Sequence, residues 1–156
     1  MYSFKGDKMS ERKVGTINNG VVIDHIVSGK GTEISKILCL EALGEFVVIA
    51  SNLESKKSKK KDLIKIEGKE LSQEELNKIA LISKDSTINI IRNGEVYKKY
   101  KVEIPETIEN ILICNNPYCI SNIEKIKSKF TTTTKNTSTT LKCHYCEKKQ
   151  NEIKIK

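Results

Sequence analysis

The sequence predicts an α+β fold, in which an antiparallel sheet with two helices packed on one face is followed by a small all-β domain. Three observations predict it. Short β-branched runs alternate with two segments of helical periodicity, an Asn-Gly pair marks a hairpin after the second of these, and four of the five cysteines fall in the last third of the chain. Strand and helix signals mixed in this order are typical of helices layered on a sheet.

The first elements are two β runs around a turn, followed by a helix. Val14 and Ile17 precede the turn-forming triplet Asn18-Asn19-Gly20, and the apolar run Val21–Ile26 follows it. Between Thr32 and Leu40 the apolar residues recur at helical spacing, which predicts a helix with one face against the sheet.

The next elements are two strands with a basic run between them. Phe46–Ala50 has the composition of a buried strand, and Leu63–Ile66 predicts a shorter one. We interpret the intervening Lys56–Lys61 as a solvated loop, with a polyanion-binding loop as the alternative. Cys39 lies on the apolar face of the preceding helix and is expected in the core.

The second helix has a clear start. Ser72 can cap it with its side-chain hydroxyl. The side chain of Glu75, three residues later, can reach back to the Ser72 amide. The helix is expected to end near Ser83. A hairpin with Asn93-Gly94 at its turn follows, because both residues tolerate positive φ, and its return strand is Glu95–Val102.

The element order and the composition divide the chain into two domains. Residues 1–105 form a ferredoxin-like sheet domain that ends at Pro105. Residues 106–156 contain few apolar side chains and are below the size at which an apolar core alone is sufficient. The run Thr131–Thr140 has high β propensity, and Lys135-Asn136 can turn, so we predict a hairpin that carries the last two cysteines at its end.

Four cysteines in two pairs predict a metal site in the second domain. The pattern is Cys114-x4-Cys119, then 23 residues, then Cys143-x2-Cys146. Four thiolates on two short loops are typical of a closed tetrahedral zinc site, which has no open position for catalysis. Free thiols or a redox pair are the alternatives, and His144 is disfavoured as a ligand because four cysteines complete the shell. One structural zinc ion per chain is therefore expected, and this domain needs it to fold.

Charged residues on three predicted strands indicate a nucleotide site. Asp24 and His25 end an apolar β run, Lys65 alternates with isoleucines, and Lys98 and Lys99 follow the hairpin turn. A carboxylate can accept hydrogen bonds from ribose hydroxyls, and the cations can bind phosphates. The alternative is a set of solvated strand ends.

Composition limits the function classes. The net charge of +8 is evenly spread, with 19 basic and 15 acidic side chains in residues 1–105 and 9 and 5 in residues 106–156, so there is no basic tail. No apolar run approaches the ~20 residues that cross a bilayer, and no secretory signal is evident, so we expect a cytoplasmic protein without membrane contact. Common catalytic motifs are absent, which favours a binding or regulatory chain over an enzyme. A zinc-ribbon nucleic-acid-binding protein is the alternative, although stacking aromatics are few.

Three strings of the sequence resemble the regulatory chain of aspartate carbamoyltransferase. They are Gly20–Ile26, Lys61–Glu67, and Cys114-x4-Cys119-Ile120 followed by Leu141–Lys148. Their order and spacing match the family without a gap, over about residues 11–150. The resemblance implies a non-catalytic chain that controls pyrimidine biosynthesis. It also implies an amino-terminal allosteric domain that binds CTP, ATP and UTP, and a zinc domain that docks on the catalytic chains.

The resemblance further assigns roles to residues. It places Asp24 and Lys65 at the ribose, and His25 and Lys99 at the phosphates. It places three further residues at or near the base, namely Ile17, Val96 and Asn89. The residues that it places toward the catalytic chain are Tyr145, Glu147 and Lys148. It also implies a homodimer that forms through the amino-terminal domain.

Overall fold

An antiparallel sheet with two helices and a separate small sheet make up residues 15–156, the part of the chain that the computed structural model describes. The chain divides into two compact units between Val102 and Glu103. The first unit contains, in chain order, β1 (Gly20–Val27), α1 (Gly31–Ile37), a 3-10 turn (Leu40–Ala42), β2 (Val47–Ser55), β3 (Lys59–Glu67), α2 (Gln73–Ile82), β4 (Thr87–Arg92) and β5 (Glu95–Lys101). The second contains β6 (Thr107–Glu109), α3 (Ile120–Ile123), β7 (Lys129–Lys135), β8 (Ser138–Cys143) and β9 (Lys149–Gln150). Within residues 15–156 no helix is long and apolar enough to cross a membrane.

The sheet of the first unit has the order β2-β3-β1-β4-β5, and every neighbouring pair is antiparallel. On one face Ile23 lies opposite Ile64 on one side and Ile88 on the other, and all three side chains are fully buried. The helices cover this apolar face, with Ile34 of α1 and Ile79 of α2 buried. The α+β prediction is confirmed.

Helix α2 begins where the sequence predicts. The Ser72 Oγ accepts a hydrogen bond from the Glu75 amide at 3.2 Å, and the Glu75 carboxylate accepts one from the Ser72 amide at 2.8 Å. Burial raises the pKa of Glu75, but Lys69, paired with it at 2.8 Å, and the Ser72 amide together lower it overall. The capping box therefore holds a charged carboxylate at the positive end of the helix.

Both predicted hairpin turns are confirmed. Asn93 and Gly94 adopt positive φ, 52° and 76°, and join β4 to β5. In the second unit Asn136 adopts a φ of 55°, and the threonine-rich strands β7 and β8 pair over six positions. Turns that need positive φ are therefore occupied by residues that tolerate it.

The second unit is built on the four-stranded sheet β6-β7-β8-β9. Its apolar core is small, with Ile108, Leu112, Phe130 and Leu141 almost completely buried. The side chain of Gln150 is also buried, and it accepts from the Asn115 amide at 2.9 Å. This glutamine ties the carboxyl-terminal segment to the loop that carries the first cysteine pair.

Three local predictions are wrong. Residues 15–17 form a loop instead of the first predicted strand, and the amides of the predicted turn residues Asn18 and Asn19 donate to the Glu67 carboxylate instead of to a neighbouring strand; Val14 lies outside the described residues. Cys39 is exposed, since α1 has already ended and the residue adopts a left-handed conformation with a φ of 52°. Only residues 56–58 of the basic run form a turn, because Lys59 begins β3.

Candidate nucleotide pocket and metal centre

A row of residues crosses four strands on the sheet face opposite the helices. Lys65 of β3 lies opposite Val22 of β1, Val22 lies opposite Asn89 of β4, and Asn89 lies opposite Lys99 of β5. Directly opposed residues on neighbouring strands share a face, so these side chains lie together. The antiparallel register therefore assembles a polar row from residues that are far apart in the sequence.

A cavity of about 200 Å³ lies on this face. Six of the seven residues predicted to bind nucleotide line it: Ile17, Asp24, Lys65, Asn89, Val96 and Lys99. Three further lining residues were not expected from the sequence, namely Thr16, Val22 and Ile91, and Gly94 of the predicted hairpin turn also lines the cavity. Lys99 lines the cavity, whereas the Nζ of Lys98 lies 5.4 Å from the centre of the Tyr100 ring, in cation-π range. Strand alternation thus selects one of the two adjacent lysines.

Asp24 forms a nearly buried ion pair that the sequence analysis did not anticipate. Its Oδ1 lies 2.8 Å from the Nζ of Lys61, and the two side chains are 14% and 5% exposed. The same oxygen accepts a hydrogen bond from the His25 amide at 2.6 Å. The signal that could have revealed Lys61 is its alternation with Leu63 and Lys65, which places all three on one face of β3.

His25 sits at a bulge at the end of β1. Its φ is 54°, the register shifts between Ile23 and Ile26, and its Nδ1 lies 3.7 Å from the Oδ2 of Asp24. His25 does not line the cavity that the other six predicted residues share. It lines a second cavity, of about 500 Å³, together with basic residues that include Lys57, Lys60 and Lys101. Burial lowers the pKa of His25, and nearby lysines add to this effect against the opposing influence of Asp24. The imidazole is therefore neutral near pH 7.

The four predicted metal ligands converge in the second unit. The sulfur atoms of Cys114, Cys119, Cys143 and Cys146 all lie within 4.8 Å of one another, with Cys114 to Cys146 at 3.6 Å and Cys119 to Cys143 at 3.7 Å. Thiolates bound about 2.3 Å from a central zinc ion stand about 3.8 Å apart in a regular tetrahedron, whereas disulfide sulfurs are about 2.0 Å apart. The arrangement fits a metal ion and excludes disulfides between these pairs. We call it the four-cysteine site.

Short loops hold the cysteines of the four-cysteine site in place. The Asn122 side chain donates to the carbonyls of Cys114 and Asn116, both at 2.8 Å, and the Cys119 amide donates to Asn116. On the second loop the Glu147 amide donates to the Cys143 carbonyl at 3.0 Å. Each pair is thus fixed by backbone contacts that do not involve the sulfurs.

Protonation of the thiols depends strongly on position. Burial raises the pKa of Cys114 to about 12. Burial also raises that of Cys146, but hydrogen bonds from the Lys148 amide and the Asn116 side chain outweigh it and lower the pKa to about 7. A buried cluster of thiolates needs a compensating cation, so metal binding would release protons from the more basic sulfurs.

The residues predicted to face a catalytic chain are exposed close to the four-cysteine site. Tyr145 donates its hydroxyl to the Lys127 carbonyl at 2.9 Å, and Glu147 lies 3.4 Å from Lys142. His144 is exposed, and its ring packs edge-on against Tyr145. Among residues 15–156, the cluster of potential metal ligands consists of the four cysteines and does not include His144.

Comparison with known proteins identifies both units. The allosteric domain of the aspartate carbamoyltransferase regulatory chain matches residues 12–103, and the metal-binding domain of the same chain matches residues 106–156. This chain belongs to the aspartate carbamoyltransferase regulatory-chain family. It is accordingly a regulatory and non-catalytic chain with an allosteric domain and a metal-binding domain.

Relatives of this regulatory-chain family are similar along nearly their whole length. The aspartate carbamoyltransferase regulatory chain of Pyrococcus horikoshii is 50% identical over 149 residues, which cover 94% of this chain and 97% of the relative. Those of Methanococcus maripaludis and Methanocaldococcus jannaschii are each 51% identical over 145 residues, covering 93% of this chain and 97% and 96% of the relatives.

Proposed function

We propose that this chain binds CTP and ATP, and also UTP, in the cavity lined by Lys65, Asn89 and Lys99, and transmits their effects to the catalytic chains of aspartate carbamoyltransferase. In this role it regulates pyrimidine biosynthesis without catalysing a step. The observation that carries the proposal is the convergence of six predicted nucleotide-binding residues on one cavity in a family with an allosteric domain.

The chemistry of the cavity supports a nucleotide. Asp24 offers an acceptor for ribose hydroxyls, and Lys65 and Lys99 offer cations on the same face. Ile17 and Val96 give it apolar walls for a base, with Asn89 able to donate and accept hydrogen bonds beside them. The ion pair with Lys61, at 2.8 Å, orients the Asp24 carboxylate. His25, next to Asp24, is proposed to meet the phosphates from the side of the larger basic cavity.

We further propose that the metal is zinc and that it prepares residues 106–156 to dock on the catalytic chain. Four cysteine sulfurs within 4.8 Å of one another, two of their separations close to the tetrahedral value, favour zinc over harder ions. Tyr145, Glu147 and Lys148 are the proposed contacts, since they are exposed beside the last cysteine pair. The metal would act as a structural centre, with no position left for substrate.

Assembly and location complete the proposal. Residues 1–105 form the allosteric domain and pair with a second copy, and residues 106–156 form the docking domain. The chain acts in the cytoplasm, where reducing conditions keep the four-cysteine site available for metal.

A calorimetric titration tests the nucleotide assignment. The metal-loaded chain is titrated with CTP, ATP and a random DNA duplex at near-physiological salt. We expect saturable CTP binding at about one site per chain that ATP competes with, and no binding of the duplex. Binding of DNA without nucleotide would instead favour the zinc-ribbon alternative, in which the exposed lysines at residues 56–60 contact phosphates.

A second experiment tests the docking role. Cys114→Ala should abolish association with catalytic chains through loss of the metal, whereas Cys39→Ala should leave it intact, because Cys39 is exposed and is not part of the four-cysteine site. Association of the Cys114→Ala chain at the affinity of the unmodified chain would contradict the proposed role of the metal.

A further inference from the structure

We propose that Glu67 is a positioning residue of the nucleotide cavity: its carboxylate holds the loop of residues 15–19, which forms the wall on the base side. The inference rests on the proposed nucleotide binding and extends it to a residue outside the cavity lining. It predicts that Glu67 affects recognition of the nucleoside and not of the phosphates.

The contact of Glu67 with the loop uses both carboxylate oxygens. Its Oε2 accepts a hydrogen bond from the Asn18 amide and its Oε1 one from the Asn19 amide, each at 3.0 Å. Each oxygen thus serves a different backbone group across 48 or 49 positions of sequence. Hydrogen bonds to a charged acceptor are stronger than those between neutral groups.

The loop is also tied to the strands on either side of it. The Asn18 carbonyl accepts from the Gly94 amide at 2.8 Å, and the Asn19 carbonyl accepts from the Gly68 amide at 2.7 Å. The same two residues, Asn18 and Asn19, therefore connect the end of β3 with the turn between β4 and β5. Glu67 fixes this junction from the β3 side.

This junction lies directly beside the proposed base site. Thr16 and Ile17 line the cavity from the loop, and Gly94 and Val96 line it from the hairpin. At the far end of the loop, the Nζ of Lys65 donates to the Gly15 carbonyl at 2.5 Å. Lys65 and Glu67 are two residues apart on β3 and share a face, so one strand sets the position of both ends of the wall.

Glutamine is the informative replacement at this position. Its size matches that of glutamate, but it presents one oxygen and one NH₂ group, so only one of the two loop amides keeps an acceptor and the other faces a donor. Loosening the loop should move the Ile17 wall and leave Lys99, which lies on β5, in place. The phosphate side of the cavity should therefore be preserved.

The test compares Glu67→Gln with Glu70→Gln, an exposed glutamate three residues away. Dissociation constants for CTP, ATP and inorganic tripolyphosphate are measured by calorimetry on the metal-loaded full chain. We expect Glu67→Gln to weaken CTP and ATP about tenfold, the effect of losing one charge-assisted hydrogen bond, with tripolyphosphate binding not weakened. Glu70→Gln should match the unmodified chain throughout. Amide hydrogen exchange at Asn18 and Asn19 should accelerate in Glu67→Gln alone.

Each other result overturns the inference. Unchanged CTP and ATP affinities in Glu67→Gln would show that the loop does not need the carboxylate. An equal loss for tripolyphosphate would show general disruption of the domain. If the unmodified chain binds neither CTP nor ATP, the proposed function fails and the inference fails with it. If the unmodified chain binds them and Glu67→Gln binds them equally well, the inference alone fails.

Discussion

Removal of the metal from the four-cysteine site should unfold residues 103–156 and leave the five-stranded sheet folded. The second unit has a small core around Ile108, Leu112, Phe130 and Leu141, and a domain of this size is marginal without additional constraints. The first unit has its own core, centred on Ile23, and contributes none of the four sulfurs. The effect should therefore be confined to one unit.

The magnitude follows from the geometry of the sulfurs. Two separations between the cysteine pairs, Cys114 to Cys146 at 3.6 Å and Cys119 to Cys143 at 3.7 Å, are close to the tetrahedral value of about 3.8 Å, and all four sulfurs lie within 4.8 Å of one another. Binding therefore requires only small movements of the sulfurs. A structural zinc ion in such a site contributes about 10–16 kcal/mol. This is comparable to the whole stability of about 5–15 kcal/mol that is typical of a domain. Loss of the metal should thus move the second unit to the unfolded state.

Hydrogen exchange after treatment with a chelator measures this directly. Amides of the β7–β8 hairpin, residues 129–143, should lose protection, while those of β1, residues 20–27, should keep it. Cys119→Ser should behave like the chelated protein, and Cys39→Ser like the untreated one, because Cys39 is outside the site. Full protection of the hairpin in a preparation shown by elemental analysis to lack metal would refute the reasoning.

Three further predictions concern single residues. Lys99→Ala should weaken CTP binding about tenfold in calorimetry, while Lys98→Ala, whose side chain lies over Tyr100, should not. Burial lowers the pKa of His25 from its ordinary 6.5, so below about pH 6.5 the unfolded chain binds more protons than the folded chain, and the free energy of unfolding decreases as the pH is lowered. His25→Asn, which tolerates positive φ, should reduce this fall in urea titrations of the first unit at about pH 5.5 and 7.5, and an unchanged slope would contradict the assignment. Gln150→Leu should leave the Asn115 amide unsatisfied, destabilise the second unit by about 2 kcal/mol in thermal unfolding, and weaken metal affinity in chelator competition.

Features encoded over short distances could be predicted from the sequence. The capping box at Ser72, the turn at Asn93-Gly94 and the paired cysteines each depend on residues a few positions apart, whose geometry is largely fixed by the local backbone. The threonine run was predictable for the same reason, since β propensity and a residue tolerant of positive φ at Asn136 point to one structure. In these segments local preference and tertiary structure agree.

Features that depend on distant partners could not be predicted in this way. Ile17 was predicted on a strand, but it lies in a loop whose next two amides, those of Asn18 and Asn19, bond to Glu67, a partner that local spacing cannot reveal. Lys61 belongs to a basic run that reads as solvated, yet it is buried because Asp24, 37 positions earlier, compensates its charge. In both cases a long-range polar contact overrides the local pattern.

The candidate nucleotide cavity shows the same division. Residue types at Asp24, Lys65 and Lys99 indicate anion chemistry, but their meeting on one face depends on the strand order and the register of the sheet. Alternation predicts that only one of Lys98 and Lys99 can face the cavity and does not say which. A bulge between Ile90 and Ile91 shifts the register of β5 against β4, and this shift is specific to the folded sheet.

The proposed regulation is constrained by linkage. This chain is non-catalytic, so a nucleotide bound to it can alter catalysis only if its affinity differs between two states of the assembly. A coupling of about 1–3 kcal/mol, or about 5–150-fold in affinity, is typical, and the catalytic ligand must change nucleotide affinity by the same factor. The cavity is built on an antiparallel sheet whose strands are fixed by backbone hydrogen bonds, and the loop at residues 15–19 is held to that sheet by the Glu67 carboxylate. Under the proposed function, the difference in affinity that linkage requires must come from contacts of this cavity that differ between the two states.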